Sequence, residues 1–242
     1  MDAMNLNTHI SSKFNEELEL VRNEVLAMGG MVEQQLEDAL KAAVQSDSEL
    51  ARTVLASDAR INEIEMRIDE DCFRIIAKRQ PTAGDLRLML VIMKTIGDLE
   101  RIGDEAERIA RVALESFSNR QQKELLGNVD NLGRLVLSML RDTLDAFARM
   151  DVDAALRVHQ EDQRIDKEYE ALMRLLMTYM MEDSRSIPKI LNVMWAVRSL
   201  ERIGDRAQNV CEYVMYLVKG TDVRHTEYEE MEEKMRSDEE EL

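Results

Sequence analysis

The sequence predicts an all-α protein built as two tandem three-helix bundles related by internal duplication. Three observations predict it. Among 242 residues there are only two prolines and nine glycines, and aromatics make up 4%. Sheets need frequent turns and favour aromatic and β-branched strands. Leu, Met, Ala, Glu, Lys and Arg dominate instead, and these lose little rotamer freedom in a helix. Finally, the hexapeptide Leu99-Glu100-Arg101-Ile102-Gly103-Asp104 recurs without change as Leu200-Glu201-Arg202-Ile203-Gly204-Asp205, displaced by 101 positions.

Upstream of the hexapeptide the displacement becomes 104. Gly29 then matches Gly133, Leu40 matches Leu144, Asp47 matches Asp151, Asp58 matches Asp162, and Arg60-Ile61 matches Arg164-Ile165. The three-residue difference falls between Arg79 and Leu86, opposite the segment 183–188. Length changes belong in loops, so this placement supports the alignment.

Taken in order, the first repeat, 1–118, reads as helices over 11–45, 48–79 and 83–117. The second, 119–226, reads as helices over 122–149, 152–182 and 187–219. Ser46-Asp47-Ser48 and Met150-Asp151 break the first helix of each repeat, with Asp or Ser to cap the next. Pro81-Thr82 is the following break, where Thr82 and Asp85 form a capping-box-like pair. Pro188 lies near a helix start, where its missing N–H does least harm. Ser118-Asn119-Arg120 joins the halves. Long helices joined by short loops pack as antiparallel bundles. The acidic C-terminal tail, 227–242, has no apolar periodicity beyond Met231 and Met235, and reads as a solvated, frayed extension.

The formal net charge is −17, from 49 acidic and 32 basic side chains. Such a surface repels phosphate backbones and anionic lipid, which argues against nucleic acid and membrane surfaces as partners. The most apolar run, 86–93, is far short of the ~20 residues of a membrane span. The first residues lack the basic and apolar regions of a signal peptide, so a cytoplasmic location is expected. Cys72 and Cys211 make no disulfide framework and read as small buried hydrophobes.

Chemistry concentrates on the third helix of each repeat. With Leu99 at zero, Ile102, Ala106 and Ile109 cluster around it as a core stripe. Glu100 and Asp104 fall at about 100° and about 140°, one turn apart on one strip. Glu201 and Asp205 repeat that placement. The preceding helix of each repeat offers Glu65 with Asp69 and Asp166 with Glu170, also at i and i+4. Paired carboxylates suit a hard cation such as Mg²⁺, Mn²⁺ or Ca²⁺, or bridged iron. Spacing alone favours ordinary salt bridging over a metal: Asp104 with Arg108, and Arg101 with Glu105, at ~0.3–0.5 kcal/mol each. Gly103 and Gly204 read as sites of close helix approach, since a mid-helix glycine costs ~1 kcal/mol. The three histidines form no spaced motif, and no Gly-rich phosphate loop or nucleophile elbow is present.

The tandem hexapeptide resembles the signature of the PhoU family. So do the runs 75–82 and Asp85-Leu86-Arg87, and the segments 28–33 and 179–185. The resemblance spans nearly the whole chain and stops short of the tail. It implies two similar three-helix bundles, commonly as a homodimer. It implies a cytoplasmic negative regulator of the phosphate-starvation (Pho) response, acting as an adaptor. The implied partners are the ATPase subunit of the phosphate ABC transporter and the sensor histidine kinase of the phosphate two-component system. It also implies metal clusters on Glu/Asp-x-x-x-Asp motifs, with Mn, Mg, Fe or Zn all open. By position these are Glu100 with Asp104, Glu201 with Asp205, and Glu65 with Asp69. Asp166 with Glu170 has the acids reversed. The competing reading is a metal-dependent phosphohydrolase, which would need an open coordination position and a positioned base.

Overall fold

The computed structural model describes residues 12–114, 120–226 and 228–237. They form α1 (Ser12–Gln45), α2 (Ser48–Arg79) and α3 (Ala83–Arg111), then α4 (Arg120–Arg149), α5 (Val152–Glu182), α6 (Ile187–Lys219) and α7 (Tyr228–Ser237). There is no strand among the described residues.

The same loop closes α1 and α4. Ser46 and Met150, matching positions, both take left-handed backbone, with φ of 56° and 53°. Each is followed by an aspartate cap. Asp47 Oδ1 accepts from the Glu49 and Leu50 amides at 3.0 Å, and Asp151 Oδ1 accepts from the Ala154 amide at 2.9 Å. These bonds satisfy amides that a helix start leaves unpaired. The second loops differ between repeats, where the alignment places its length change. Gln80 closes α2 in left-handed backbone, whereas Asp183 closes α5 in extended backbone.

Three expectations need correction. Thr82 occupies the cap of α3 but makes no side-chain cap bond. Ala83 takes a left-handed φ of 47°, and the Asp85 amide bonds to the Thr82 carbonyl instead. α3 stops being α-helical at Arg111 and tightens into a 3-10 turn at Val112–Leu114, as helix ends commonly do. Residues 115–119, including part of the expected join, lie outside the described residues. The tail is not wholly a solvated extension. Tyr228–Ser237 is helical and lies against α5, with Met231 and Met235 buried. Two methionines at i and i+4 share one face, and that single stripe suffices to dock a ten-residue helix.

Each repeat packs its three helices around a shared core. The repeats then meet through α3 against α6 and α1 against α4, which leaves α2 and α5 on the flanks. The α1–α4 contact is reciprocal. A Cβ on Gly29 would lie 2.6 Å from Leu144, and one on Gly133 would press as hard on Leu40. Gly29 and Gly133 are matching positions, as are Leu40 and Leu144, so each repeat inserts the same leucine against the other's glycine. Arg141 ties the same two helices, donating to Glu33 at 2.6 Å and Glu37 at 3.0 Å.

The α3–α6 contact carries a buried polar lock. Asp98 accepts from Arg206 at 3.1 Å and from the Tyr213 hydroxyl at 3.0 Å. Glu105 accepts from Ser199 at 2.6 Å and from Arg202 at 3.1 Å. Position 98 matches 199 and position 105 matches 206, so the two bonds occupy equivalent places with their donor and acceptor roles exchanged. Arg87 closes the far end, donating to the Leu217 carbonyl at 3.2 Å beside Gly220, whose φ of 81° caps α6. Among the described residues, no helix is long and apolar enough to cross a membrane.

Candidate functional site: two acidic seams

The carboxylates singled out by spacing lie along two seams, one between α2 and α3 and one between α5 and α6. In the first, Glu100, Asp104 and Glu65 approach one another and are joined by Asp58. Burial pushes the Glu100 carboxyl above its ordinary range, and the charges of Asp104, Glu65 and Asp58 add to the shift. Asp104 is raised by burial and by Asp58, and Glu65 by burial and Asp69. Asp58 Oδ2 accepts from the Asn62 amide at 3.2 Å, while its Oδ1 is buried without a protein hydrogen-bond partner. Both amide atoms of Gln35, buried next to this seam, are likewise unpaired.

The second seam gathers Asp162, Asp166, Glu201 and Asp205. Asp162 is pushed up to about 7, first by burial and then by Asp166 and Asp205, with His159 opposing. Burial and Asp205 raise Glu201, and burial and Asp166 raise Asp205. His159 sits 3.6 Å from Glu212, against the same helix pair.

The glycines of the hexapeptide make these seams. A Cβ on Gly103 would stand 3.0 Å from Gln35 Oε1 and 3.7 Å from Asp58 Oδ1. On Gly204 it would stand 3.0 Å from Asp162 Oδ1. Close approach, expected from sequence as a packing device, therefore brings each seam's buried aspartate onto the third helix.

The structure sorts the sequence candidates. Glu65, Glu100 and Asp104 come together, as do Asp166, Glu201 and Asp205. Asp69 couples to Glu65 and to Cys72 but not to the third helix. Glu170 does not join its seam: it is exposed and pairs with Arg174 at 3.3 Å. Asp166 and Glu170 stand one turn apart on α5, yet Asp166 acts on Glu201 and Asp205 while Glu170 faces solvent. The salt-bridge alternative also resolves differently from its spacing. Arg108 pairs with Glu105 at 2.6 Å, so Asp104 keeps its place in the seam.

Asp58 and Asp162 are the residues that spacing did not select. Their signal was present in the repeat, since they are matching acids on the same helix. Gln35 gave no sequence signal as a site residue. The cysteines behave as read: both are buried and free, and burial pushes each thiol up to about 12.

Each seam thus holds oxygen donors only, in a half-buried place where ionised carboxylates repel one another. That donor set fits a hard cation in chemistry. As they stand, no three such side chains among the described residues converge tightly enough to enclose an ion. Loading would require the carboxylates to turn inward.

The fold and the paired seams define a duplicated six-helix scaffold with one carboxylate cluster per repeat. The family model described as "PhoU domain" matches twice, at residues 25–113 and 129–214, so the chain belongs to the PhoU family. The chain is 57% identical, over 96% of both chains, to the phosphate-specific transport system accessory protein PhoU of Escherichia coli (strain K12). It superimposes on the crystal structure of PhoU from Pseudomonas aeruginosa with a TM-score of 0.80 and 51% identity, covering 86% of this chain and 100% of that one. A phosphate transport system regulatory protein PhoU from Streptococcus pneumoniae matches with a TM-score of 0.78 and 32% identity, over 87% and 99%.

Proposed function

We propose that this chain is a non-enzymatic regulator of phosphate uptake. In this reading it links the phosphate transporter's ATPase subunit to the sensor histidine kinase of the phosphate response, and restrains that response when phosphate is plentiful. The observation that carries the reading is near full-length identity to proteins named as accessory to phosphate-specific transport. The mechanism is differential binding of partner states, since a binder shifts an equilibrium only by its differential affinity. Exposed Met66 and Phe73 on α2, with Met177 and Met181 on α5, supply apolar surface for a homodimer or a partner face.

The two seams are the proposed cation sites. Asp58, Glu65, Glu100 and Asp104 would hold one group of ions, and Asp162, Asp166, Glu201 and Asp205 the other. A bound divalent or iron cation supplies positive charge that offsets the mutual repulsion of the carboxylates. The protein's own part is to hold two helices at the distance fixed by Gly103 and Gly204, so that cation binding and helix packing are coupled.

Pull-down from cells grown in high and low phosphate tests the adaptor. Co-purification of the transporter ATPase and the kinase in high phosphate is expected, and recovery of neither under both conditions would overturn it. Phosphatase assays with and without Mn²⁺ separate the rival. Robust turnover abolished by Glu100→Ala would establish an enzyme instead. Elemental analysis of wild type against the Glu201→Ala/Asp205→Ala double variant checks whether the second seam holds metal.

A further inference from the structure

One end of the α3–α6 crossing opens into a cleft of about 410 Å³, within the size range of small-molecule sites. Arg108 and Arg111 line it from α3, and Arg198, Arg202 and Trp195 from α6. Four guanidinium groups at one cleft are out of character for a chain of net charge −17. Acids stand close by: Arg108 also acts on Asp104, Arg202 on Glu201 and Asp205, and Arg198 on Glu201. Arg108 and Arg202 share the single Glu105 carboxylate, and Arg111 takes Glu107 at 2.6 Å. Arg198 is exposed and has no ion pair or hydrogen bond among the described residues. More distant acids add little, because salt screens charges beyond about 8 Å, and the guanidinium groups themselves face the concave wall, which concentrates their field.

Trp195 is the only tryptophan in the chain, and 62% of it is exposed. Burial is the usual fate of an indole in a helical core, so this one lies where a ligand could cover it. The duplication provides an internal control. At the matching positions of the other repeat, Trp195 becomes Lys94, Arg198 becomes Gly97, Arg108 becomes Asn209 and Arg111 becomes Glu212. Lys94 there lies over the Tyr213 ring at 5.4 Å, which occupies the aromatic face. The arginine-and-indole cleft is therefore not a by-product of the repeat. It was built at one end alone.

We propose that this cleft binds a nucleotide, its phosphates held by Arg198, Arg111 and the Arg108–Arg202 pair and its base covering Trp195. Guanidinium forks match phosphate oxygens two at a time. A flat base gains from stacking on an aromatic face irrespective of its identity. The compact cleft favours a small ligand over a protein partner, which needs roughly 800 Å² on each side. The cleft adjoins the seams, since Arg108 and Arg202 also line a second cleft with Asp104 and Asp205, but the proposal does not depend on the regulatory reading.

The full chain, in magnesium-free buffer, is titrated with ADP and ATP while Trp195 emission is followed with excitation at its red edge. Pyrophosphate and adenosine serve as parallel probes, and calorimetry supplies affinities independent of the fluorophore. Saturable quenching by ADP is expected, with adenosine and pyrophosphate each binding at least about tenfold more weakly. Arg198→Ala and Trp195→Ala should each weaken ADP by about tenfold or more, without changing the thermal midpoint, since neither side chain holds the fold. Glu170→Gln, whose carboxylate pairs with Arg174 in solvent, should leave ADP binding unchanged. Equal affinity for pyrophosphate and ADP, with Trp195→Ala silent, would overturn the nucleotide in favour of an inorganic anion. Absence of ADP and ATP binding at millimolar concentration would overturn it too, and so would capture of an acidic or phosphorylated peptide in their place.

Discussion

In the first repeat the seam places Asn62 one turn from Asp58, whereas the matching turn of the second repeat carries Asp166 beside Asp162. The first seam finds its fourth carboxylate at Glu65, where the second has Tyr169. Duplication has kept four acids per seam and moved one of them. Asp162 is raised to about 7 first by burial, and the displaced acid, Asp166, is the leading charge that adds to it. The flanks differ as well. Gln35 lies against Gly103 with its amide unpaired, whereas the matching residue of the second repeat is the buried Met139. One scaffold thus carries two acidic seams whose proton and cation affinities need not coincide.

The comparison breaks most visibly if the repeats are not equally essential to the fold. Leu99→Ala and Leu200→Ala remove matching, fully buried side chains of the third helices. Each should cost about 3 kcal/mol by denaturant unfolding, and a gap of more than about 2 kcal/mol between them would show that one repeat dominates stability. A smaller asymmetry should appear in the polar lock. Asp98→Ala strands Arg206 and the Tyr213 hydroxyl and should cost about 2–3 kcal/mol, allowing for partial exposure of Arg206. Ser199→Ala at the matching position removes one bond to Glu105 and should cost about 1 kcal/mol.

Between these sizes of effect and none lies the titration of the seams. A carboxyl raised from 3.8 to about 7 on folding is protonated in the native state while still ionised in the unfolded one. Its contribution to stability is therefore full below about pH 4 and is lost as pH rises through about 7. In metal-free buffer Asp162→Asn should flatten that decline in thermal midpoint. Mn²⁺ should oppose it, stabilising the protein more above neutrality than in acid, because the ion binds the deprotonated seam. Exchanging the displaced acid sharpens the contrast further: Asp166→Asn should weaken cation binding at the second seam about tenfold by calorimetry, and Asn62→Asp should strengthen the first. Glu170→Gln should do least, within about 0.5 kcal/mol and without effect on cation binding, since that carboxylate pairs with Arg174 in solvent.

The helices and their order were legible because apolar periodicity, aspartate caps and an exact repeat all pointed the same way. α7 was missed because two methionines among glutamates make too short a stripe to register as periodicity, yet they are enough to dock on a surface that already exists. Three of the four acids in each seam could be picked out from i, i+4 pairs, which report neighbours on one helix. Asp58 and Asp162 come from the facing helix, and only the crossing angle and the glycine contact bring them in. Glu170 shows the converse: i, i+4 spacing on one helix does not say whether both acids face the neighbouring helix. Ion pairing showed the same limit, since Arg108 had Asp104 and Glu105 within reach and the interface supplied Ser199 and Arg202 to decide between them.

The glycine–leucine exchange between α1 and α4 bears on how such a chain arose. A knob and socket that each partner both offers and receives is the hallmark of a two-fold symmetric association between identical chains. A single three-helix ancestor could close on itself through this joint. Tandem fusion then turned an encounter that depended on concentration into one within a single molecule. Freed from the need to match, the two copies could diverge, and they now carry asparagine at 62 and aspartate at 166.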